Sequence, residues 1–150
     1  LLLIISKNSH DIAISFLDKH NINSGDYYLN EVPNNKIKDY LSAADLGVVL
    51  RDFHLMNSIV TSGKLIDYLA CGLPVVTTSI LYKLPEIIKE QKFGVVLDDL
   101  NINNININEF KRILTFNYSK RHFISKWAND NLSIETETIS YINFLKTLQN

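Results

Sequence analysis

Four residues in one short stretch have types suited to holding an anion: Ser62, Gly63, Lys64 and, one helical turn on, Asp67. A helix that starts there presents free N–H groups and a partial positive charge. Gly63 lets a phosphate come close to the backbone, and Lys64 adds a full charge. Asp67 could accept bonds from hydroxyls, as acids do with ribose in nucleotide folds. The competing arrangement is an ordinary capped helix whose Lys64 and Asp67 form an exposed ion pair. On physics alone that arrangement is the commoner one. Arg51 offers a second cation. Its guanidinium can take a phosphate or carboxylate in two bonds, or pair with Asp52 or Asp45. His54 could touch a hydroxyl or a phosphate, or face solvent without a role.

The elements that must position these groups follow from pattern. Asn57 to Thr78 reads as loop, helix, sharp turn, strand. Thr61 or Ser62 can cap the helix, and Leu65, Ile66, Leu69 and Ala70 recur at helical spacing toward a core. Gly72 tolerates the positive φ of a helix end, Pro74 stops the helix, and Val75–Val76 open a strand. Upstream, Leu1–Ser6 is an apolar run typical of a strand buried on both faces. Ile12 to Leu17 fits a helix with Ile12 and Phe16 inward, and Tyr27–Asn30 a short strand. A turn at Val32–Asn35 leads to a helix with Ile37, Tyr40, Leu41 and Ala44 inward. Leu46–Leu50 is another buried strand, ending at Arg51, and Asp52–Val60 a loop. Downstream, Pro85 opens a short helix, Glu86–Glu90, and Val95–Leu97 is a strand. Asn101–Asn108 is a surface excursion, with Asn108 as cap of a helix Glu109–Leu114. Helices at Ser119–Asn131 and Ser133–Leu148 pack through Phe123, Trp127, Ile139, Ile142 and Leu145. This alternation predicts the α/β class: a parallel, doubly wound, Rossmann-like sheet with helices on both faces. Ligands of such sheets bind outside the carboxyl ends of the strands.

Composition narrows the function. The 150 residues are 46% hydrophobic and 21% charged, with a net charge of −1. That fits one globular domain, and no basic excess points to nucleic acid. No run is long and apolar enough to span a membrane, and the N-terminal LLLII lacks the basic region of a signal peptide. The single Cys71 cannot form an internal disulfide, which suits a reducing cytoplasm, and it reads as buried at a helix end. His10, His20, His54 and His122 are scattered, so no metal site is expected. The motifs G-x-G-x-x-G, G-x-S-x-G and the Walker A loop are absent, against a dehydrogenase, a serine hydrolase or an NTPase.

The run Ser62, Lys64, Leu65, Asp67, Tyr68, Leu69, Ala70, Cys71, Gly72, Leu73, Pro74, Val75, Val76 resembles the donor-site signature of GT-B glycosyltransferases of the group 1 kind. YLSAADLGVVLR (Tyr40–Arg51) and FGVVLDD (Phe93–Asp99) resemble flanking segments of the same family, in the same order, over roughly two-thirds of the chain. The resemblance implies the donor-binding lobe of a retaining transferase that moves a sugar from a UDP- or GDP-sugar to a glycan or lipid-linked acceptor, in polysaccharide or cell-surface glycan synthesis. It implies a diphosphate at Ser62, Gly63, Lys64 and Leu65, ribose hydroxyls on Asp67, which stands where relatives usually have Glu, and the base near the turn at Val32. Arg51 joins the ligand contacts. Where relatives carry a second acid facing the sugar, this chain has Ile59. Relatives with an NxxxSPxK loop share that departure, which implies sugar contacts from Asn57 and Ser58. No residue is assigned a catalytic role, and no metal or cofactor is implied beyond the nucleotide sugar.

Relatives also place an Arg/Lys pair and an acceptor-binding lobe ahead of the position of Leu1. Residues 1–150 are therefore expected to be a partial lobe, ending in the helices of residues 109–150, that lacks its first strand and has poor stability alone. Acceptor binding, and peripheral membrane association at the inner face, are expected through the absent lobe, in a cytoplasmic protein of bacterial type. The alternatives are a flavodoxin- or receiver-like binding module and another GT-B enzyme, an epimerase or phosphorylase. Ser6 and Lys7 after the first strand disfavour a receiver, whose strands end in acids.

Overall fold

A computed structural model of the chain describes residues 2–5, 10–101 and 106–148. The chain divides into two compact units, Leu1–Tyr40 and Leu41–Asn150.

In the first unit, β1 (Leu2–Ile5) and β2 (Tyr27–Asn30) pair in parallel, with register from Leu2↔Tyr27 to Ile5↔Asn30. Helix α1 (His10–Lys19) connects them. Asn21, at φ 54°, closes the helix in the left-handed region that Asn tolerates. The burial expected of Leu1–Ser6 concerns side chains outside the described residues. Only Leu17 of α1 is buried; Ile12 and Phe16, expected inward, are 74% and 59% exposed. A 3-10 turn at Asn34–Lys36 follows Pro33 and runs into α2 (Ile37–Ala43).

The second unit is a three-stranded parallel sheet in the order β3-β4-β5: Gly47–Val49, Val75–Thr78 and Gly94–Leu97. The register Gly47↔Val75↔Gly94 and its successors send alternate residues to opposite faces. Val49 and Val75 join Leu65 and Leu69 of α4 (Gly63–Ala70), Leu84 and Ile88 of α5 (Leu84–Gln91), and Ile124 and Ala128 of α7 (Tyr118–Leu132) in one buried cluster. Val76, Val95 and Leu97 meet Ile113 of α6 (Ile107–Leu114) on the other face. Helices thus cover both faces, as expected of a Rossmann-like α/β sheet. Central β4 is buried throughout.

Several boundaries differ from the sequence-based expectation. The strand expected at Leu46–Leu50 is the shorter β3 at the sheet edge, so Val48 and Leu50 are 49% and 47% exposed instead of buried. The expected loop Asp52–Val60 contains a helical turn, α3 (Leu55–Ile59). Side-chain bonds close it: the Met56 N–H donates to His54 Nδ1 (3.2 Å), and the Ser58 hydroxyl donates to the Leu55 carbonyl (2.8 Å). Apolar periodicity could not reveal α3, because five residues are too few to show a period; its Leu55, Met56 and Ile59 all stay exposed. Asn106, not Asn108, caps α6, accepting from the amides of Asn108 (3.0 Å) and Glu109 (3.3 Å). Residues 102–105 of the expected excursion lie outside the described residues.

At the C-terminal end α7 binds the sheet layer strongly. Its Ser125 hydroxyl donates to the Ala70 carbonyl (2.6 Å), and Phe93 makes edge-to-face contacts with Phe123 and Trp127. Helix α8 (Ile134–Thr147) meets α7. Its Ile139, Ile142 and Leu145, expected to pack, are 60%, 44% and 40% exposed. Helix α8 packs on α7, and the clusters that cover the two sheet faces are built from α4, α5, α7 and α6 without it. Among the described residues no helix is long and apolar enough to cross a membrane.

Candidate functional site

Helix α4 connects parallel strands β3 and β4, so it must run back against them and begin at the carboxyl edge of the sheet. Its start is built as the sequence suggests. Ser62 is the cap: its backbone is extended (φ −82°, ψ 108°) and its hydroxyl oxygen accepts from the Leu65 N–H at 3.5 Å. Among the described residues, the amides of Gly63 and Lys64 have no partner. A Cβ on Gly63 would meet nothing within 4 Å, so no other part of the chain packs against this face of the residue.

The other end of α4 fixes its direction. Leu73 N–H donates to the Tyr68 carbonyl and Gly72 N–H to the Leu69 carbonyl, both at 2.9 Å, with Gly72 at φ 73°. This is the Schellman arrangement, with Leu73 fully buried beneath it. Cys71 forms the C-cap and is half-buried instead of buried. The Tyr68 ring lies directly against Gly47 of β3, leaving no room there for a side chain.

Lys64 and Asp67 are both exposed and form no ion pair with each other among the described residues. The Leu65 side chain is fully buried, as the helical spacing predicts, so only its backbone could meet a ligand. Burial, and then the Asp67 carboxylate, push the Tyr68 phenol above its usual 10.0.

Arg51 leaves the end of β3 exposed, and no ion pair joins it to Asp52 or Asp45 among the described residues. Its backbone is held instead. The Arg51 N–H donates to Thr78 Oγ1 (3.1 Å), and the same hydroxyl donates to the Arg51 carbonyl (2.9 Å). Farther along, Asn57 Nδ2 donates to the Asp52 carbonyl (2.9 Å) and the Phe53 N–H to Asp52 Oδ1 (2.7 Å). Arg51, Asn57, Ser58, Ser62, Gly63, Lys64, Leu65 and Asp67 therefore lie on one continuous β3–α3–α4 segment of the second unit. Val32 lies in the first unit, beyond β2, and is 8% exposed. His54 serves as the cap of α3.

The sequence reading missed Thr78. It closes an apolar strand, and nothing in its spacing marks its contact with Arg51. Next to it, the Thr77 hydroxyl is buried with no partner among the described residues, on the sheet face that carries α4. A concavity of about 300 Å³ opens at the carboxyl end of β5, beside Leu97, Asp98, Asp99, Asn106 and Glu109. It includes none of the expected site residues, and two of its acids already pair, Asp98 with Lys89 and Glu109 with Arg112. Among the described residues no cluster of three His, Cys, Asp or Glu could hold a metal ion.

A parallel sheet clothed on both faces, with an open helix start at its carboxyl edge, defines an α/β protein of Rossmann-like architecture. Within that class the match is specific: the model of the glycosyl transferases group 1 family covers residues 2–111, and the chain belongs to that family. Membership carries glycosyl transfer as the general function and a GT-B lobe as the setting of this fold. No curated protein and no solved structure matches the chain.

Proposed function

We propose that the start of α4 binds the diphosphate of a donor nucleotide sugar, in a retaining transferase that passes the sugar to a glycan or lipid-linked acceptor during polysaccharide or cell-surface glycan synthesis. The supporting observation is the open helix start: the unpartnered Gly63 and Lys64 amides, with the exposed Lys64 side chain beside them. A diphosphate there meets backbone dipoles and an ammonium together. Asp67, one turn deeper and unpaired with Lys64, keeps both oxygens for ribose hydroxyls. Arg51 supplies a second cation at the same sheet edge. Asn57 spends one of its two amide N–H donors and Ser58 its single O–H on backbone carbonyls, so both side-chain oxygens and the second Asn57 N–H remain for sugar hydroxyls.

Catalysis in this reading is positioning plus stabilisation of the departing diphosphate. The cations and N–H groups balance its charge, so the reaction needs no metal. The donor is a UDP- or GDP-sugar, and the chemistry takes place in the cytoplasm, at the inner face of the membrane where the acceptor is lipid-linked. The test uses Lys64→Ala and Asp67→Ala in the full-length enzyme. Lys64→Ala is expected to lower donor kcat/KM by about 10²-fold. Asp67→Ala is expected to raise donor KM about tenfold through lost hydroxyl bonds. Unchanged donor KM and kcat/KM in both variants refutes these roles.

A further inference from the structure

Thr78 is the residue outside the expected site whose contacts bear on it most directly. Strand β3 leaves the ladder after Val49↔Thr77, whereas β4 continues against β5 through Thr78↔Leu97 and the Ser79 N–H to the Leu97 carbonyl (2.8 Å). On the β3 side the backbone rungs have ended, yet Arg51 still has an N–H and a carbonyl to satisfy. The Thr78 hydroxyl satisfies both, accepting at 3.1 Å and donating at 2.9 Å across 27 residues of sequence. One hydroxyl has the capacity for this, with one donor and two lone pairs. Thr78 is 3% exposed, so water does not compete freely for these bonds. The segment beyond Arg51 is wired mainly to itself, through Asp52–Phe53, Asp52–Asn57, His54–Met56 and Leu55–Ser58.

We infer that Thr78 is a positioning residue for the donor site: its hydroxyl stands in for the missing β-rung and fixes the point where Arg51 and the Asn57–Ser58 turn leave the sheet. The inference rests on the donor-site reading above. It adds that the guanidinium reaches the diphosphate from a fixed backbone instead of a loose strand end. Thr78 does not touch the ligand; it acts through Arg51.

The experiment measures binding of UDP and of GDP by calorimetry to the full-length protein, to Arg51→Ala, Lys64→Ala, Thr78→Val and Thr78→Ser, and to the Arg51→Ala/Thr78→Val double variant. Valine keeps the shape and removes both bonds. Thr78→Val is expected to weaken diphosphate binding about five- to tenfold, the fold-change that one to two lost hydrogen bonds produce. Thr78→Ser recovers most of that loss. The double variant binds within about twofold of Arg51→Ala alone, because the two residues act as one unit. Additive losses in the double variant overturn the inference. So does wild-type affinity in Thr78→Val beside weakened binding in Arg51→Ala, and that result leaves the donor site standing. Unchanged binding in both Arg51→Ala and Lys64→Ala removes the donor site itself, and the role of Thr78 with it. If Thr78→Val does not fold, Thr78→Ala replaces it. Unfolding of both, with Thr78→Ser folded, makes the hydroxyl structural and overturns the inference.

Discussion

Tyr68 ties the chemistry of the site to the packing beneath it. Its ring packs on Gly47, and its hydroxyl feels the neighbouring Asp67. Burial is the larger cause of the raised phenol pKa, and the carboxylate adds to it. The folded value exceeds the unfolded one, so the phenol's contribution to stability is fully present below 10.0 and is lost as pH rises through the folded value. Asp67→Asn should bring the Tyr68 titration down toward 10.0, part of the way only, because the burial remains. Phenolate absorbance, taken as the difference from a Tyr68→Phe control, checks this. An unmoved midpoint would mean that Asp67 points its charge away from the ring. The cap and the exposed charges at the start of this helix were legible in the sequence because Ser62, Gly63, Lys64 and Asp67 are neighbours on one helix. Thr78 was not, since its partner is 27 residues away.

Among the elements, α4 has both ends specified by short-range chemistry. Ser62 caps one end, and Gly72 closes the other at φ 73°. A Cβ at Gly72 would also come within 2.5 Å of the Arg121 carbonyl oxygen on α7. Gly72→Ala therefore combines a left-handed alanine with a backbone clash. We expect it to destabilise the protein by about 2–4 kcal/mol in denaturant unfolding. Gly25→Ala, whose Cβ meets nothing within 4 Å, is the control and should change stability by less than about 0.5 kcal/mol. Equal effects of the two would show that α4 and α7 can separate at little cost. Helices α3 and α8 show the opposite case. Leu55, Met56, Ile139 and Ile142 are apolar yet exposed, so a rule that sends apolar residues inward misplaces them.

At the scale of the whole molecule, α7 is joined to the body of its unit through Lys120. The ammonium lies 5.1 Å from the Phe123 ring centre, 5.3 Å from Phe93 and 5.6 Å from Phe116, and donates to the Gln91 carbonyl at 3.5 Å. These partners come from α7, the start of β5, the α6–α7 link and the end of α5. Burial, then Arg112, then Lys92 lower the Lys120 pKa below its usual 10.5. The folded state then binds fewer protons than the unfolded state between the lowered value and 10.5, so this group makes stability rise with pH across that window. Lys120→Met should remove that rise while keeping the side chain's bulk over the rings. Denaturant midpoints of the two proteins, followed from neutral pH to about 10, test it. Parallel pH curves for wild type and variant would rule out a titrating Lys120 as the cause.

By itself, the sequence determined the strand–helix alternation, the ends of α4 and the family signature. Each of these rests on residues close in the chain: caps, a helix-ending glycine, a proline stop and apolar runs of definite period. Tertiary structure decided the rest. It divided the strands between two sheets, placed β3 at an edge with Val48 exposed, and set α8 against α7. It also brought the Thr78 hydroxyl to the backbone of Arg51. The reason is physical: a strand's burial and a hydroxyl's partner depend on which chain segment lies alongside, and no local spacing encodes that neighbour.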